Sequence, residues 1–220
     1  MHKKIKVPAA SCFFKQFEMK SSKREFLKQI SLSLLGFQIP FIANTNNLTF
    51  DITDKELKLS LAQWSLHNTF QLGTLDPVLF AEISKKDFDI HAVEYVSSLY
   101  SGKGNNENFW IKMKDRSDEL PVQNLLIMVD DEGHLGDGDN KLRKKAVENH
   151  YKWIHAAKIM GCHSIRVNAF GSTVPSIFKA SLIDGLTQLT TYAAKEDINI
   201  LIENHGLLSS DAQLITSIIK

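Results

Sequence analysis

Hydrophobic and polar positions follow a repeating order along residues 55–220. Short apolar runs, typical of buried strands, alternate with stretches that carry an apolar residue every three or four positions, typical of amphipathic helices. The predicted strands cover residues 57–65, 90–96, 125–129, 164–168 and the apolar part of 198–205. The predicted helices cover residues 77–86, a segment around Phe109, Ile111 and Met113 that ends before Pro121, and residues 141–160 and 175–195.

This alternation predicts a parallel sheet built from βαβ units with right-handed crossovers. Doubly wound sheets and barrels both satisfy that pattern. A dinucleotide-binding sheet normally carries a G-x-G-x-x-G turn after its first strand. Here residues 64–68 read Trp-Ser-Leu-His-Asn, without glycine. We therefore predict an α/β fold of the TIM-type (β/α)8 barrel, with about five βα units present in this chain.

Polar residues cluster where the predicted strands end. In barrel enzymes the carboxyl ends of the strands form the catalytic face. Glu203 and His205 are two positions apart on the last strand, so their side chains are expected on the same side. The candidate site residues are His67, Glu94, Asn168, Glu203 and His205.

Each candidate also has a structural alternative. Glu203 is able to pair with Arg166 on the neighbouring strand without any role in catalysis. Arg166 itself is expected inside the barrel, where it balances Glu94 or Glu203 and shifts their pKa values. For His205 the sequence leaves open a substrate contact and a purely structural hydrogen bond, and the same holds for His67 and Asn168.

Composition is that of a globular protein, with 43% hydrophobic residues, 23% charged residues and a formal net charge of +1. This near-neutral balance gives no sign of a nucleic-acid-binding surface. Cys12 lies in a basic N-terminal stretch and Cys162 in an apolar one, so the two cysteines indicate neither a disulfide framework nor a zinc ribbon.

Residues 1–50 form an N-terminal extension with the features of an export signal. A basic stretch after Met19 precedes an apolar stretch at residues 30–43 that is too short for a stable membrane anchor. Residues 22–28 resemble the twin-arginine motif with lysine in place of the first arginine. We predict translation from Met19 and a periplasmic or secreted protein. The alternative is an N-terminal amphipathic helix that packs on the domain, with a cytoplasmic location.

An acidic, glycine-rich segment at residues 130–139 suggests two roles. Its spacing departs from the EF-hand calcium-binding pattern, D-x-[DN]-x-[DN]-G with a closing glutamate. We therefore predict a flexible lid over the pocket.

Five sequence strings together resemble the sugar phosphate isomerase/epimerase family, the xylose-isomerase-like group of TIM barrels. The strings are Ala-Gln-Trp-Ser-Leu-His at 62–67, Ala-Val-Glu-Tyr-Val at 92–96, Leu-Ile-Met-Val-Asp at 126–130, Gly-Cys-His-Ser-Ile-Arg-Val-Asn-Ala at 161–169 and Ile-Glu-Asn-His at 202–205. The resemblance runs from about residue 57 to the end of the sequence.

The resemblance implies a metal-dependent sugar isomerase or epimerase that transfers a proton next to a carbonyl through an enediolate. It implies Glu203 as a metal ligand and catalytic carboxylate, and His67, Glu94, Asn168 and His205 as substrate contacts. The cofactor would be a divalent metal (Mn, Mg, Co or Zn), and the partner a small carbohydrate. The alternatives are a metal-dependent hydrolase or lyase acting on an oxidised glycoside, and a sugar-binding barrel without catalysis.

The same resemblance implies an aspartate, a histidine and a second glutamate on three further strands, which this sequence does not contain. We therefore expect the 220 residues to be the N-terminal part of a longer protein, with a truncated product as the alternative. In either case Glu203 supplies one of four expected metal ligands.

Overall fold

The computed structural model describes residues 58–219. The predicted export signal lies outside these residues, as does the first residue of the predicted first strand. Five strands form one parallel sheet in the order β1-β2-β3-β4-β5. Their bounds are β1 Leu61–Ala62, β2 Ala92–Val96, β3 Gln123–Val129, β4 Ser164–Asn168 and β5 Asn199–Glu203.

This sequential order identifies the type of α/β fold. When each new strand is added on the same side of the previous one, right-handed crossovers place all the connecting helices on one face of the sheet. In a doubly wound sheet the direction of strand addition reverses once, so helices cover both faces. The predicted barrel type is therefore confirmed over the doubly wound type. The helices are α1 His67–Gln71, α2 Phe80–Phe88, α3 Glu107–Glu119, α4 Asn140–Met160, α5 Pro175–Ala193 and α6 Ala212–Ile219. Among residues 58–219, we find no helix with the length and apolar character needed to cross a bilayer.

The two faces of the sheet differ in what they bury. On the face covered by helices, side chains such as Tyr95, Ile127 and Val167 are completely buried in the main hydrophobic core. On the opposite, concave face a small cluster of Val96, Leu126 and Met128 gives way to charged and polar residues on β4 and β5. The concave face is therefore the polar one, as expected for the face that carries a site.

The first strand is much shorter than the predicted 57–65, because Gln63 leaves the sheet. Its side chain is fully buried, and its Oε1 accepts a hydrogen bond of 3.0 Å from the backbone N–H of Val96. Its Nε2 donates to the hydroxyl of Tyr100 at 2.8 Å. The amide thus takes the place of backbone pairing at the end of β2, and residues 63–66 form a 3₁₀ turn.

A β-bulge changes the facing of side chains within β3. The register with β2 shifts between Val93, which pairs with Asn124, and Glu94, which pairs with Leu126. Leu125 is the skipped residue, and Asn124 before it lies on the helix side of the sheet. There Asn124 accepts a hydrogen bond of 2.9 Å from Tyr95 Oη. Leu126 lies on the concave face. The bulge therefore reverses the alternation along this strand.

The acidic segment after β3, for which the sequence predicts a flexible lid, contacts the core and the chain after β4 at its middle. Leu135 is fully buried in the main core. The backbone N–H of Gly136 donates to the carbonyl of Phe170 at 2.8 Å, and the Gly136 carbonyl accepts from Ser172 N–H at 3.0 Å. Asp139 accepts hydrogen bonds from the first N–H groups of α4 and so caps that helix. The carboxylates here serve the local fold.

Gly185 allows this segment to approach α5. A methyl group at Gly185 would stand 2.1 Å from the carbonyl oxygen of Leu135. A glycine-to-alanine change inside a helix ordinarily stabilises it by about 0.5–1 kcal/mol. Here we expect Gly185→Ala to reduce the free energy of unfolding by about 1–3 kcal/mol, because the helix and the segment must separate. Urea unfolding measures the difference.

The matched control is Thr187→Ala, at an exposed position of the same helix. It should leave the midpoint of unfolding unchanged or slightly raised. A Gly185→Ala protein as stable as this control would contradict the close approach.

Candidate functional site

The site lies at the carboxyl ends of β3, β4 and β5. Asp130 follows β3 directly, Asn168 ends β4 and Glu203 ends β5. Asn168 and Glu203 are register partners, so they stand side by side on neighbouring strands. Asn168 Nδ2 donates a hydrogen bond of 2.7 Å to Asp130 Oδ1. Three polar residues that are distant in sequence are thus brought together by the parallel register.

Arg166 is the positive charge at the centre of these carboxylates. Its guanidinium contacts Glu203 in an ion pair and lies 3.9 Å from Asp130. The side chain of Arg166 is 17% exposed and that of Glu203 is 31% exposed. Burial lowers the pKa of Arg166, while the charges of Asp130 and Glu94 act in the opposite direction. The structural role predicted for Arg166, an interior charge that balances Glu203, is therefore confirmed.

His205 stands beside Glu203 on its solvent side. The ring Nδ1 is 3.2 Å from Glu203 Oε2, and the backbone N–H of His205 donates to Ser209 Oγ at 2.9 Å. Phe170 packs edge-on against the His205 ring, with centroids 5.4 Å apart, and also lies 5.8 Å from the His134 ring. Glu203 is thus flanked by a guanidinium on one side and an imidazole on the other.

These groups line a cavity of about 830 Å³ on the concave face. This volume is within the range of about 300–1,000 Å³ found for small-molecule sites. Aliphatic residues of β2 and β3 form its inner wall, and polar groups form its rim. The lining residues that bear on chemistry are Trp64, Asp130, Asp131, Glu132, His134, His150, Arg166, Asn168, Phe170, Glu203 and His205.

Of the five residues predicted for the site, Asn168, Glu203 and His205 line this cavity, and His67 and Glu94 do not. His67 begins α1 because the chain turns away after Ala62, and its ring stacks on Trp64 with centroids 4.4 Å apart. Glu94 lies one layer deeper, beside Leu126, and accepts a hydrogen bond of 2.7 Å from Ser60 Oγ. The alternation of side chains along a strand does not determine where His67 points, because β1 ends at Ala62.

The sequence did not place four aromatic rings in the cavity wall, those of Trp64, His134, His150 and Phe170. The sequence carried a signal for Phe170, which lies two residues beyond the predicted end of its strand, whereas Trp64 fell inside the predicted first strand at residues 57–65. His134 belongs to the acidic segment, whose position depends on its backbone pairing with residues after β4. That pairing is not visible in the sequence.

Two buried polar atoms on β4 have no hydrogen-bond partner among the described residues, Arg166 Nε and Asn168 Oδ1. An unpaired buried polar atom costs about 1–3 kcal/mol. Both belong to side chains that line the cavity. This part of the concave face therefore has spare hydrogen-bonding capacity, as expected where a polar ligand binds.

The described residues provide only part of a metal site. Within residues 58–219, no group of three or more His, Cys, Asp and Glu side chains is placed to hold a metal ion. Glu203 and His205 are close together, but the Glu203 carboxylate already contacts the guanidinium of Arg166. A cation at Glu203 would have to displace that contact and find further ligands elsewhere.

Solved structures similar to this chain have xylose-isomerase-like folds. A putative xylose isomerase from Rhodospirillum rubrum matches with a TM-score of 0.54 at 15% identity, over 66% of this chain and 53% of its own length. The 3-keto-D-glucoside 4-epimerase from E. coli matches with a TM-score of 0.51 at 14% identity, over 66% and 60%. A D-psicose 3-epimerase studied with D-fructose matches with a TM-score of 0.55 at 10% identity, over 74% and 61%.

These similarities confirm the predicted fold. They agree with the fold that the resemblance to the xylose-isomerase-like group implied. The described residues form five consecutive βα units of a xylose-isomerase-like barrel fold. The chain spans between 53% and 61% of the length of these three structures. No protein-family model matches the sequence, and no curated protein matches it either.

Replacing Arg166 tests the charge balance of the site. In Arg166→Met the Glu203 carboxylate loses its cation, so we expect the free energy of unfolding at pH 7 to fall by about 2–3 kcal/mol. This is less than for a fully buried pair, because Glu203 keeps access to water. The double variant Arg166→Met, Glu203→Gln should recover part of the loss, since the unpaired charge is gone. Denaturant unfolding of the four proteins measures the coupling, and additive effects would contradict the ion pair.

His150, in the cavity wall, predicts a dependence of stability on pH. The residue is 3% exposed, and burial lowers its pKa in the folded protein. Below the unfolded-state pKa of about 6.5 the unfolded chain binds a proton that the folded chain does not, so stability falls as the pH decreases. We expect His150→Gln to lose less stability than the unmodified protein between pH 8 and pH 5. Thermal unfolding at both pH values measures this.

The control for this measurement is His155→Gln, at a half-exposed position of the same helix. If His150→Gln and His155→Gln show the same pH dependence, the buried imidazole is not its source.

Proposed function

We propose that this chain is part of a sugar isomerase or epimerase in which Glu203 moves a proton at the carbon next to a carbonyl. The observation that supports this most directly is the placement of Glu203 at the end of a barrel strand, on the wall of a polar cavity large enough for a monosaccharide. The structural neighbours include sugar epimerases, in agreement with the proposal.

The chemistry requires a base close to a weakly acidic C–H bond and compensation for the charge that develops on oxygen. In the proposed reaction Glu203 takes the proton from carbon, and the electron pair of that bond moves to the carbonyl to give an enediolate. Glu203 then returns the proton to the neighbouring carbon, while the proton of the adjacent hydroxyl moves to the former carbonyl oxygen, and the two transfers together complete an isomerisation. An epimerisation needs a second acid on the opposite face of the sugar, which is proposed to lie outside the described residues.

Arg166 and Asn168 are proposed to support this step. The guanidinium of Arg166 favours the ionised form of Glu203, and an ionised carboxylate is the form that removes a proton. Opening the pair on substrate binding would free the carboxylate and allow the guanidinium to face the developing negative charge. The unpaired Oδ1 of Asn168 is suited to accept a hydrogen bond from a sugar hydroxyl. His205 is proposed as a further substrate contact, and His67 and Glu94 support the site from behind Trp64 and Arg166.

A divalent cation is part of the proposal, with Glu203 as one of its ligands. Such a cation, when bound, polarises the carbonyl and hydroxyl oxygens of a sugar as a Lewis acid. Glu203 and His205 fit that role as a carboxylate and an imidazole, but they do not form a complete ligand set. The remaining ligands are proposed to lie outside the described residues.

One observation favours a second candidate, a sugar-binding barrel without catalysis. The pairing of Glu203 with Arg166 leaves the carboxylate neutralised, which suits binding more than proton removal. Both candidate functions place the sugar in the same cavity. They differ only in whether Glu203 exchanges a proton with the sugar.

Solvent exchange distinguishes them without requiring a full turnover. The purified protein is incubated in D₂O with Mn²⁺ or Mg²⁺ and with D-fructose, the sugar present with one structural neighbour. Deuterium incorporation at the carbons next to the carbonyl is followed by NMR and mass spectrometry. We expect exchange with the unmodified protein and a loss of at least about 100-fold in Glu203→Gln, as for a lost general base.

Glu148→Gln, on an exposed helix face, is the control carboxylate and should exchange like the unmodified protein. Binding of D-fructose without exchange would favour the sugar-binding barrel. Exchange that persists in Glu203→Gln would show that Glu203 is not the base.

A further inference from the structure

A second, smaller cavity lies beside the polar one, between the segment after β4 and the segment after β5. Its volume is about 250 Å³. Its walls include Ala169, Phe170 and Phe178 on one side and Leu207 and Leu208 on the other. The hydroxyl of Ser172, also in the wall, already accepts a hydrogen bond from Val174 N–H. The cavity therefore presents an almost entirely apolar surface.

The chain after β5 holds Leu207 at the mouth of this cavity in an unusual conformation. Leu207 has φ of +52°, in the left-handed region, and 83% of the residue is exposed. A left-handed conformation costs a residue with a side chain about 1–2 kcal/mol. Ser209 fixes the turn, because its Oγ accepts from His205 N–H and donates to the carbonyl of Gly206. Among the described residues Leu207 belongs to neither hydrophobic cluster, and backbone strain of this kind is concentrated at ligand sites.

The apolar cavity adjoins the proposed catalytic site, with Phe170 between them. Phe170 lines both cavities. The same ring packs edge-on against His205, which neighbours Glu203. Leu207 follows His205 by two residues. A ligand with its sugar at Glu203 is therefore next to an apolar pocket on the far side of Phe170.

We propose that this cavity is a subsite for an apolar aglycone, so that the substrate is a glycoside carrying an aromatic or alkyl group. The inference rests on the proposed function and specifies its substrate class. A volume of 250 Å³ is sufficient for one aromatic ring, since an apolar cavity of about 150 Å³ takes benzene. A glycoside has no free carbonyl at its anomeric carbon, so the reacting carbonyl would be a ketone on the sugar ring.

The test compares the binding of two glycosides that differ only in the aglycone, phenyl β-D-glucopyranoside and methyl β-D-glucopyranoside. Both are titrated into the full chain by calorimetry or ligand-observed NMR. We expect the phenyl glycoside to bind about tenfold more tightly, because its ring buries apolar area that the methyl group does not. Leu207→Ser should remove this preference and leave the affinity for the methyl glycoside unchanged.

Leu207 is mostly exposed, so Leu207→Ser should fold normally, and circular dichroism verifies this. Leu142→Ser is the matched control, at a leucine that is 59% exposed on α4 and belongs to neither cavity wall. It should retain the tenfold preference.

The outcomes separate the subsite from the proposed function. Equal binding of the two glycosides overturns the subsite and leaves the carbohydrate site in place. A phenyl preference that survives Leu207→Ser also overturns the subsite, because the preference then arises elsewhere. If neither glycoside binds, while Glu203-dependent deuterium exchange into D-fructose is observed, the aglycone inference fails alone. If there is neither binding nor exchange, the proposed function fails with it.

Discussion

The charge of Arg166 is the constraint on which the concave face depends. A guanidinium that is largely removed from water must be paired, and here the partners are Glu203 by contact and Asp130 at 3.9 Å. Removing either partner would leave the other charge unpaired in a largely buried position, which is costly. The pair also occupies the carboxylate that the proposed chemistry requires. Stability and reactivity therefore compete for the same two side chains, and a ligand that takes the place of either partner changes both.

The arrangement of the sheet explains why the site is on this face. Sequential parallel order places the helices on one side, where Tyr95, Ile127 and Val167 are buried among them. The other side carries the more polar side chains, among them Arg166, Asn168 and Glu203, and the segments after β3, β4 and β5 line the cavity above it. The loop after β3 is joined to the loop after β4 by backbone hydrogen bonds at Gly136, so the rim of the cavity is a connected structure.

The sequence predicted most of the fold because most of its signals are local. Strand β4 has the predicted bounds, and α4 ends at Gly161 with φ of +71° as expected for a glycine stop. Prediction failed where one residue is held by another far along the chain. Gln63 ends β1 by bonding to Val96 and Tyr100, 33 and 37 positions away, and the position of His67 changes as a result. Likewise, the pairing of Arg166 with Glu203 was one of several alternatives until the register of β4 and β5 was known.

The bulge between β2 and β3 has a consequence for how this protein is able to vary. One extra residue after Asn124 determines that Leu126 and Met128 lie on the concave face while Ile127 and Val129 lie on the helix side. Deleting that residue would remove the bulge, and ordinary alternation from Asn124 onward would leave both sets on their present faces. A regular strand of the present length would instead exchange them. Strand β3 is therefore able to lose one residue at the bulge without moving any side chain to the other face, whereas a further inserted residue would require a second irregularity.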